Sequence, residues 1–207
     1  MPIRRLMGWF KRVFGRRRVI RLGLYGPPNA GKTTLANKIS IDWTGEPVGS
    51  VSEIPHETRD VQKKERVVVQ TGGKKLIMNL LDMPGIATKI DYEEFIKFGL
   101  SDDDAKERAK EATRGVIEAI KWLEQVDTAL VIMDSSKDPY TQVNITIIGN
   151  LEARNIPVII VANKIDLPNS NPMWIEEAFP QHPVVKISGL TGKHINKLYS
   201  TIAKYSK

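Results

Sequence analysis

Two periodicities of apolar residues alternate along most of this chain. Six runs of strand length are rich in Val, Ile and Leu, and the most apolar of them are typical of strands buried on both faces of a parallel sheet. These runs span Val19–Tyr25, 65–71, 74–81, Thr128–Asp134, 157–164 and 182–188. Gly72 and Gly73 separate the second run from the third, which predicts a hairpin at this point.

Stretches with helical periodicity lie between these runs. One helix is expected to begin after Gly31, and another after Ser101, which together with Asp104 has the spacing of a helix cap. Apolar residues recur at every third or fourth position over 105–123 and again over 195–202. This order of strands and helices predicts a three-layer α/β fold with a six-stranded, mostly parallel sheet flanked by helices.

Excess positive charge is confined to the beginning of the chain. Of the 31 Lys and Arg residues, seven lie among the first 18 positions, which hold no acidic residue. The rest of the chain balances 24 basic residues against 24 acidic ones, so the net charge of +7 belongs to residues 1–18 alone. We therefore divide the sequence into a basic N-terminal segment, 1–18, and one domain, 19–207.

The N-terminal segment has the pattern of an amphipathic helix. On a helical projection, Trp9, Phe10, Phe14 and the other large apolar residues lie on one side, and all but one of the basic residues lie on the other. An interfacial helix on an anionic membrane needs this arrangement, whereas a secretory leader needs a continuous apolar core. We expect residues 1–18 to bind an anionic membrane surface; docking onto a protein surface and binding to RNA are the alternatives.

Composition narrows the class of protein further. The chain contains no cysteine, which excludes disulfides and zinc–thiolate sites. Its longest apolar run is far shorter than the roughly 20 residues that a membrane-spanning helix needs. Together with the basic segment, this predicts a cytoplasmic protein that is peripheral on the cytoplasmic face of a membrane.

A phosphate-binding motif follows the first predicted strand. Residues 26–33, GPPNAGKT, match the pattern G-x-x-x-x-G-K-[ST] between a strand and a helix. Gly31 lets the backbone curl so that its N–H groups and the helix N-terminus face a polyphosphate. Lys32 is placed to reach the β- and γ-phosphates, and the Thr33 hydroxyl to ligate Mg²⁺. The motif predicts a nucleoside triphosphate site without specifying the base.

A second motif points to the base. Asn163, Lys164 and Asp166 belong to NKID, which follows an apolar strand. The Asp166 carboxylate can accept hydrogen bonds from N1–H and the exocyclic amino group of guanine, and adenine offers no such pair of donors. A buried carboxylate left unpaired by adenine costs about 1–3 kcal/mol. Asn163 and the stem of Lys164 are expected to brace the loop and cover the base.

Together these motifs resemble those of the P-loop GTPases (TRAFAC class). The phosphate loop is similar to the Gly-x-Pro-Asn-x-Gly-Lys loop of the Era and TrmE type, and Thr58 lies in a Thr-Arg-Asp string like their first switch. The resemblance covers about residues 19–207 and implies the same α/β fold and GTP hydrolysis. It also implies that Asp82 of DMPG holds Mg²⁺ through water, that Gly85 senses the γ-phosphate, and that Thr58 offers its hydroxyl to Mg²⁺.

The resemblance also implies which residues contact the ligands. The expected nucleotide contacts are Asn29, Ala30, Gly31, Lys32, Thr33, Thr34, Asn163, Lys164, Asp166, Ser188, Gly189 and Leu190. Magnesium is expected on Thr33, Thr58 and Asp82, and catalysis is assigned to Lys32, Thr58 and Gly85. In relatives of this type the equivalent of Asn29 helps to hold K⁺. Gly189 stands where the family usually has Ala, a departure that still leaves the backbone N–H available.

Two features bear on how the switch works. Ras-like enzymes place a Gln after Gly85 to orient water, whereas Ile86 stands here, so we expect slow intrinsic hydrolysis unless K⁺ or a partner assists. Residues 86–112 lengthen the second switch and form either helix packed on the sheet or a surface for an unknown effector. We expect a GTPase switch at a membrane. A ribosome- or RNA-associated GTPase like Era, lacking the KH domain of Era, and a non-catalytic GTP-binding scaffold are the alternatives.

Overall fold

The computed structural model of the protein describes residues 19–50, 60–87 and 90–206. The helix predicted over 1–18 and the first-switch residue Thr58 lie outside these residues. Six strands form one sheet in the order β2-β3-β1-β4-β5-β6, and all are parallel except β2. The strands are β1 (Val19–Tyr25), β2 (Gln62–Thr71), β3 (Lys74–Asp82), β4 (Thr128–Asp134), β5 (Val158–Asn163) and β6 (Val184–Lys186). The predicted six-stranded, mostly parallel sheet is confirmed.

Helices follow or separate these strands throughout the described part of the chain. They are α1 (Lys32–Thr44), α2 (Tyr92–Lys97), α3 (Asp102–Lys121), α4 (Gln142–Ala153), α5 (Pro172–Ala178) and α6 (Ile195–Tyr205), and a short 3₁₀ helix spans Trp122–Gln125. The predicted cap of α3 is present, since the Ser101 Oγ accepts a hydrogen bond from the Asp104 N–H at 3.2 Å. The sequence pattern did not single out α4 and α5.

The β2–β3 hairpin forms because its two turn residues can adopt left-handed backbone angles. Gly72 has φ 53° and Gly73 has φ 73°, and a tight two-residue turn between antiparallel strands favours positive φ at both positions. Further along the hairpin the pairing shifts register between Lys64 and Val67. Arg66 in this bulge has φ 54° and donates its backbone N–H to the Asn79 side chain.

The sheet separates two apolar clusters, one on each face. Leu24 and Ile132 belong to the cluster packed under α1 and α6, whereas Tyr25 and Val131, one position away in sequence, belong to the cluster under α4. This alternation follows from the two-residue period of a strand. All residues of β4 and β5 are buried, as expected for central strands covered on both faces.

A third, smaller cluster joins α2 to α3 apart from the sheet. Phe95, Ala105 and Ala112 are buried in it, and Leu100 packs against them. These residues follow Gly85 in the chain, so the segment after DMPG has an apolar core of its own.

The fold places the polar ends of several strands at one edge of the sheet. Gly26 follows β1, while Asp82, Asp134 and Asn163 end β3, β4 and β5. Parallel strands bring their carboxyl ends to the same edge, which is where open α/β sheets bind ligands. The residues predicted from separate motifs therefore meet at this edge.

Candidate nucleotide-binding site

The phosphate loop connects β1 to α1 and closes tightly against β5. Gly31 has φ 92°, and a Cβ at this position would lie 2.4 Å from the Asn163 Nδ2. Asn29 also has a left-handed backbone, with φ 58°. Ala30 is buried and Thr34 is half-buried in the first turn of α1. Both the backbone angle and the close approach at Gly31 require glycine.

Lys32 and Thr33 begin α1 and point to partners at the same edge. Lys32 is 6% exposed, and its Nζ donates to the Pro27 carbonyl at 2.9 Å. The Thr33 Oγ1 donates to the Asp82 Oδ2 at 2.7 Å. Burial lowers the pKa of Lys32 to about 8, and the Asp82 carboxylate opposes part of this shift. The site therefore holds a buried amine, a hydroxyl and a carboxylate within one cluster.

Asp82 is a suitable carboxylate for a hydrated magnesium ion. It is fully buried, and its Oδ1 has no hydrogen-bond partner within the part of the chain that the structure describes. Burial raises the pKa of Asp82, while the hydrogen bond from Thr33 and the charge of Lys32 lower it. A hydroxyl beside a buried carboxylate with a free oxygen matches the oxygen ligands that Mg²⁺ prefers. The residues present thus fit this metal.

The DMPG loop packs directly on the phosphate loop. A Cβ on Gly85 would lie 3.1 Å from the Pro28 Cα, and the Ile86 N–H donates to the Gly26 carbonyl at 3.2 Å. The Ile86 side chain is 6% exposed and lies in the apolar cluster of α4. It therefore offers no polar group to a water molecule at the phosphate edge.

Asn163 joins three loops that are distant in sequence. Its Nδ2 donates to the Ala30 carbonyl of the phosphate loop at 2.9 Å, and its Oδ1 accepts from the Gly189 N–H at 2.9 Å. The expectation that the Gly189 N–H is available is therefore corrected, because Asn163 already binds it. Asn163 is 2% exposed. The Ser188 Oγ, also buried, accepts from the Thr191 N–H and so shapes the loop that carries Leu190. The NKID loop, the phosphate loop and the loop after β6 form one site.

Asp166 of the NKID loop is exposed. Leu190, in the loop after β6, is 77% exposed. Both side chains are therefore accessible to a ligand. Lys164 is half-buried, and its Nζ donates to the Asp134 Oδ2 at 2.8 Å. Sequence reasoning did not identify Asp134. The available signal was a carboxylate at the end of the apolar run 129–133.

The arrangement of these loops defines a P-loop nucleotide-binding protein with a guanine-type base loop. The chain belongs to the MMR_HSR1 family, described as 50S ribosome-binding GTPase, whose model matches residues 21–164. It is thus a GTPase-family protein of the Era-like type, and the predicted family resemblance is confirmed. Within the described residues, no helix is long and apolar enough to cross a membrane.

Curated relatives match most of this chain. GTPase Der of Mycoplasmopsis agalactiae is 30% identical over 194 residues, which cover 89% of this chain and 39% of the relative. The tRNA modification GTPase MnmE of Nitrosomonas europaea is 27% identical over 185 residues, covering 89% of this chain and 34% of the relative. GTPase Era of Geotalea daltonii is 26% identical over 186 residues, covering 87% and 53%. The chain thus spans between a third and just over half of the length of these relatives.

Solved structures of Era match the fold. Aquifex aeolicus Era bound to GDP and AlF₄⁻, solved as a variant, has a TM-score of 0.69 at 25% identity and covers 92% of this chain and 57% of its own. Era in complex with MgGDPNP and nucleotides 1506–1542 of 16S ribosomal RNA has a TM-score of 0.70 at 26% identity and covers 93% and 58%. These relatives bind guanine nucleotides, in one case with magnesium.

Proposed function

We propose that this chain binds GTP and GDP with Mg²⁺ and hydrolyses GTP to GDP and phosphate as a molecular switch. The observation that carries the proposal is the position of Asn163, which hydrogen-bonds both to Ala30 of the phosphate loop and to Gly189 of the loop after β6. A nucleoside triphosphate, with a polyphosphate at one end and a base at the other, can contact all three loops. The family to which this chain belongs is described as a GTPase family, which supports GTP as the ligand.

The phosphate end would be held by charge and by backbone donors. Lys32 leaves the Pro27 carbonyl for the β- and γ-phosphate oxygens, while the N–H groups around Gly31 surround the β-phosphate. Thr33, Asp82 and the first-switch residue Thr58 would hold Mg²⁺, with Asp82 acting through water. The Gly85 N–H is placed in the loop that packs on Pro28, where it would detect the γ-phosphate. When bound, Mg²⁺ neutralises charge that develops on the phosphates.

The base end would be held by the NKID loop and the loop after β6. Asp166 accepts from guanine, while Asn163, Lys164, Ser188, Gly189 and Leu190 close around the base. Calorimetry with GTP, GDP and ATP tests this assignment, and we expect both guanine nucleotides to bind far more tightly than ATP. Asp166→Asn should lose affinity for GTP and gain affinity for the xanthine nucleotide, because its amide donates to the carbonyl that replaces the amino group of guanine. Equal affinity for ATP and GTP would contradict the proposal.

Hydrolysis is expected to be slow without a further charge at the phosphates. Ile86 is packed into the core and cannot orient water. We propose that K⁺ supplies the missing charge beside Asn29, on the family resemblance and on the position of Asn29 in the phosphate loop, where its backbone is left-handed. Single-turnover hydrolysis in K⁺ against Na⁺ tests this, with faster hydrolysis expected in K⁺. Tight GTP binding without turnover in either salt would favour a non-catalytic scaffold.

We further propose that the protein is peripheral on the cytoplasmic face of a membrane, attached through residues 1–18. Support comes from the separation of aromatic and basic residues in this segment, and from the restriction of net charge to it. Flotation of the full chain with anionic vesicles tests the proposal beside a Phe10→Glu, Phe14→Glu double variant. We expect the variant to lose vesicle binding and to keep GTP binding.

Association with ribosomal RNA is the second candidate function. The family description names the 50S ribosome, and the Era structure contains 16S ribosomal RNA. The basic segment 1–18 would then bind RNA through phosphate contacts. Binding to ribosomal RNA but not to anionic vesicles would favour this function over the membrane.

An effector surface is proposed for residues 86–112. The segment follows Gly85 directly, and its two helices share the apolar cluster of Phe95, Ala105 and Ala112. Ile86 at its start and Ala119 in the last turns of α3 belong to the core of the sheet. We expect a change at the γ-phosphate to reach the small cluster through Gly85 and Ile86, which connect it to the phosphate edge. Hydrogen exchange in this segment is expected to differ between the GTP and GDP states, and identical exchange would contradict the assignment.

A further inference from the structure

Asp134 lies beside the base loop and makes a dense set of polar contacts. It ends β4 and is paired in register with Asn163 of β5. Its side chain is 5% exposed. The Oδ1 accepts from the Ser136 N–H at 3.0 Å and from the Ser136 hydroxyl at 2.7 Å, and the Oδ2 accepts from the Lys164 Nζ at 2.8 Å. Both carboxylate oxygens are therefore occupied, and one of them contacts the base loop.

The charge of Asp134 is maintained despite its burial. Burial by itself raises the pKa of a carboxyl group, but the hydrogen bonds from Lys164 and Ser136 outweigh it and hold the pKa of Asp134 below the ordinary value. An ionised carboxylate with hydrogen bonds on both oxygens binds an amine strongly. The reason is that a charge-assisted hydrogen bond compensates for the hydration that the buried carboxylate has lost. Asp134 thus restrains the side chain of Lys164.

The backbone at Lys164 needs such a restraint. Lys164 has φ 63°, a left-handed conformation that side-chain-bearing residues rarely adopt. On the other side, Ile165 donates its N–H to the carbonyl of Ile187, the residue directly after β6, at 3.2 Å. The ion pair with Asp134 ties the same loop to β4. The turn that leads to Asp166 is therefore held from both sides.

We propose that Asp134 is a positioning residue for the base, which acts through Lys164 to fix the loop in the conformation that lets Asp166 meet guanine. This inference rests on the proposed binding of GTP. It predicts that Asp134 affects the discrimination of the base itself, in addition to any effect on the stability of the fold. Nucleotides that engage Asp166 to different extents can measure this discrimination.

The test compares the affinities of the full chain for GTP and for inosine triphosphate. Inosine lacks the exocyclic amino group, so the ratio of the two affinities reports how well Asp166 is placed. Asp134→Asn keeps the size of the side chain and removes its charge. We expect it to weaken GTP binding on the order of tenfold and to lower the preference for GTP over inosine triphosphate.

Asp127 provides the matched control at the opposite end of β4. Its carboxylate is also bound, through both oxygens, by the Arg21 guanidinium at 3.0 and 3.1 Å, far from the base loop. Asp127→Asn should lower the melting temperature and leave both affinities unchanged. If Asp134→Asn behaved in the same way, Asp134 would be a structural residue and the inference would be overturned.

A double-mutant cycle assigns the effect to Lys164. In a Lys164→Gln background the ion pair is absent, so Asp134→Asn should cause no further loss of GTP affinity. An equal loss in both backgrounds would show that Asp134 acts by another route and would overturn the inference. Ser136→Ala, which removes one hydrogen bond from Asp134, should cause a smaller loss in the same direction.

The wild-type measurement separates this inference from the proposed function. If the wild-type chain does not bind GTP, or binds ATP equally well, the proposed function fails and the inference fails with it. If the wild type prefers GTP and Asp134→Asn keeps both the wild-type affinity and the wild-type preference, only the inference fails.

Discussion

At the scale of single residues, the site depends on a few positions where an added methyl group or a lost charge would impair ligand binding. Gly31 lies so close to the Asn163 amide that a methyl group has no room. Lys32 is buried, and its amine donates a hydrogen bond to the Pro27 carbonyl. The sequence motif predicted the roles of both residues, because a phosphate loop requires a glycine and a lysine at these positions. It did not predict the closeness of Gly31 to Asn163, which lies on another strand.

Gly31→Ala should reduce GTP affinity strongly, because the new methyl group forces the phosphate loop away from Asn163. Gly45→Ala is the matched control. Gly45 follows α1 with φ 80°, and a Cβ there meets nothing within 4 Å. Gly45→Ala therefore measures only the free-energy cost of placing alanine at a positive φ, about 1 kcal/mol. Calorimetry and thermal unfolding of both variants check the prediction. Similar GTP affinities in the two variants would contradict the role of the close approach.

Lys32 should give the nucleotide-free protein a pH-dependent stability. Because burial lowers the pKa of Lys32 to about 8 from 10.5, the unfolded chain binds more protons than the folded chain between these values. The contribution of Lys32 to stability therefore rises as the pH increases from about 8 to 10.5, and it is lowest below pH 8. Chemical unfolding at several pH values should show this rise in the wild type but not in Lys32→Met. Lys110→Met, which changes an exposed lysine, should retain it.

GTP affinity should fall as the pH rises above about 8, whereas the stability of the nucleotide-free protein rises. A neutral Lys32 gives no charge to the phosphates, so binding must take up a proton above pH 8. Calorimetry in buffers of different ionisation enthalpy would measure this uptake, and its absence at pH 9 would contradict the lowered pKa of Lys32.

At the scale of elements, local sequence patterns predicted all six strands of the sheet and the helices α1, α3 and α6. Val19–Tyr25 and Thr128–Asp134 form strands over the predicted ranges, and α3 begins at its predicted cap. Helix α4 was not singled out, because apolar residues occur on several of its sides and its period is weak. The small cluster between α2 and α3 was also not predicted, since it depends on how two helices fold back on each other.

Phe95→Ala should loosen the α2–α3 unit more than the sheet. Phe95 is 1% exposed in the small cluster, and truncating a buried Phe costs about 3–5 kcal/mol. We expect faster hydrogen exchange over 92–112, with little change in β4 and β5. Phe98→Ala, at a half-exposed position beside the same helix, is the control and should leave the exchange unchanged. Equal loss of protection in the sheet would show that the cluster is part of the main core.

At the scale of the whole molecule, one side chain connects loops that are more than a hundred residues apart. Asn163 bonds to the Ala30 carbonyl across 133 positions of sequence and to the Gly189 N–H across 26. Because both partners are buried, losing Asn163 leaves two backbone groups unsatisfied. The phosphate and base ends of the site are thus coupled through the body of the fold.

Asn163→Ala should destabilise the protein and weaken GTP binding together, since each unsatisfied buried group costs about 1–3 kcal/mol. Asn163→Asp keeps the acceptor for Gly189 and loses the donor to Ala30, so it should separate the two contributions. Asn150→Ala, on α4 away from the site, is the control. Thermal unfolding and calorimetry of the three variants check the prediction, and a stable Asn163→Ala protein with unchanged GTP affinity would contradict it.

The sequence by itself determined the fold class, the phosphate loop, the base loop and the family, because each depends on residues that are neighbours along the chain. Periodicity and short motifs report such local requirements directly. Only the tertiary structure decided that Asn163 joins three loops, that Lys32 is buried, that Ile86 lies in the core and that Asp134 holds Lys164. These properties depend on contacts between strands and loops far apart in sequence, and such contacts exist only once the sheet brings its strand ends together.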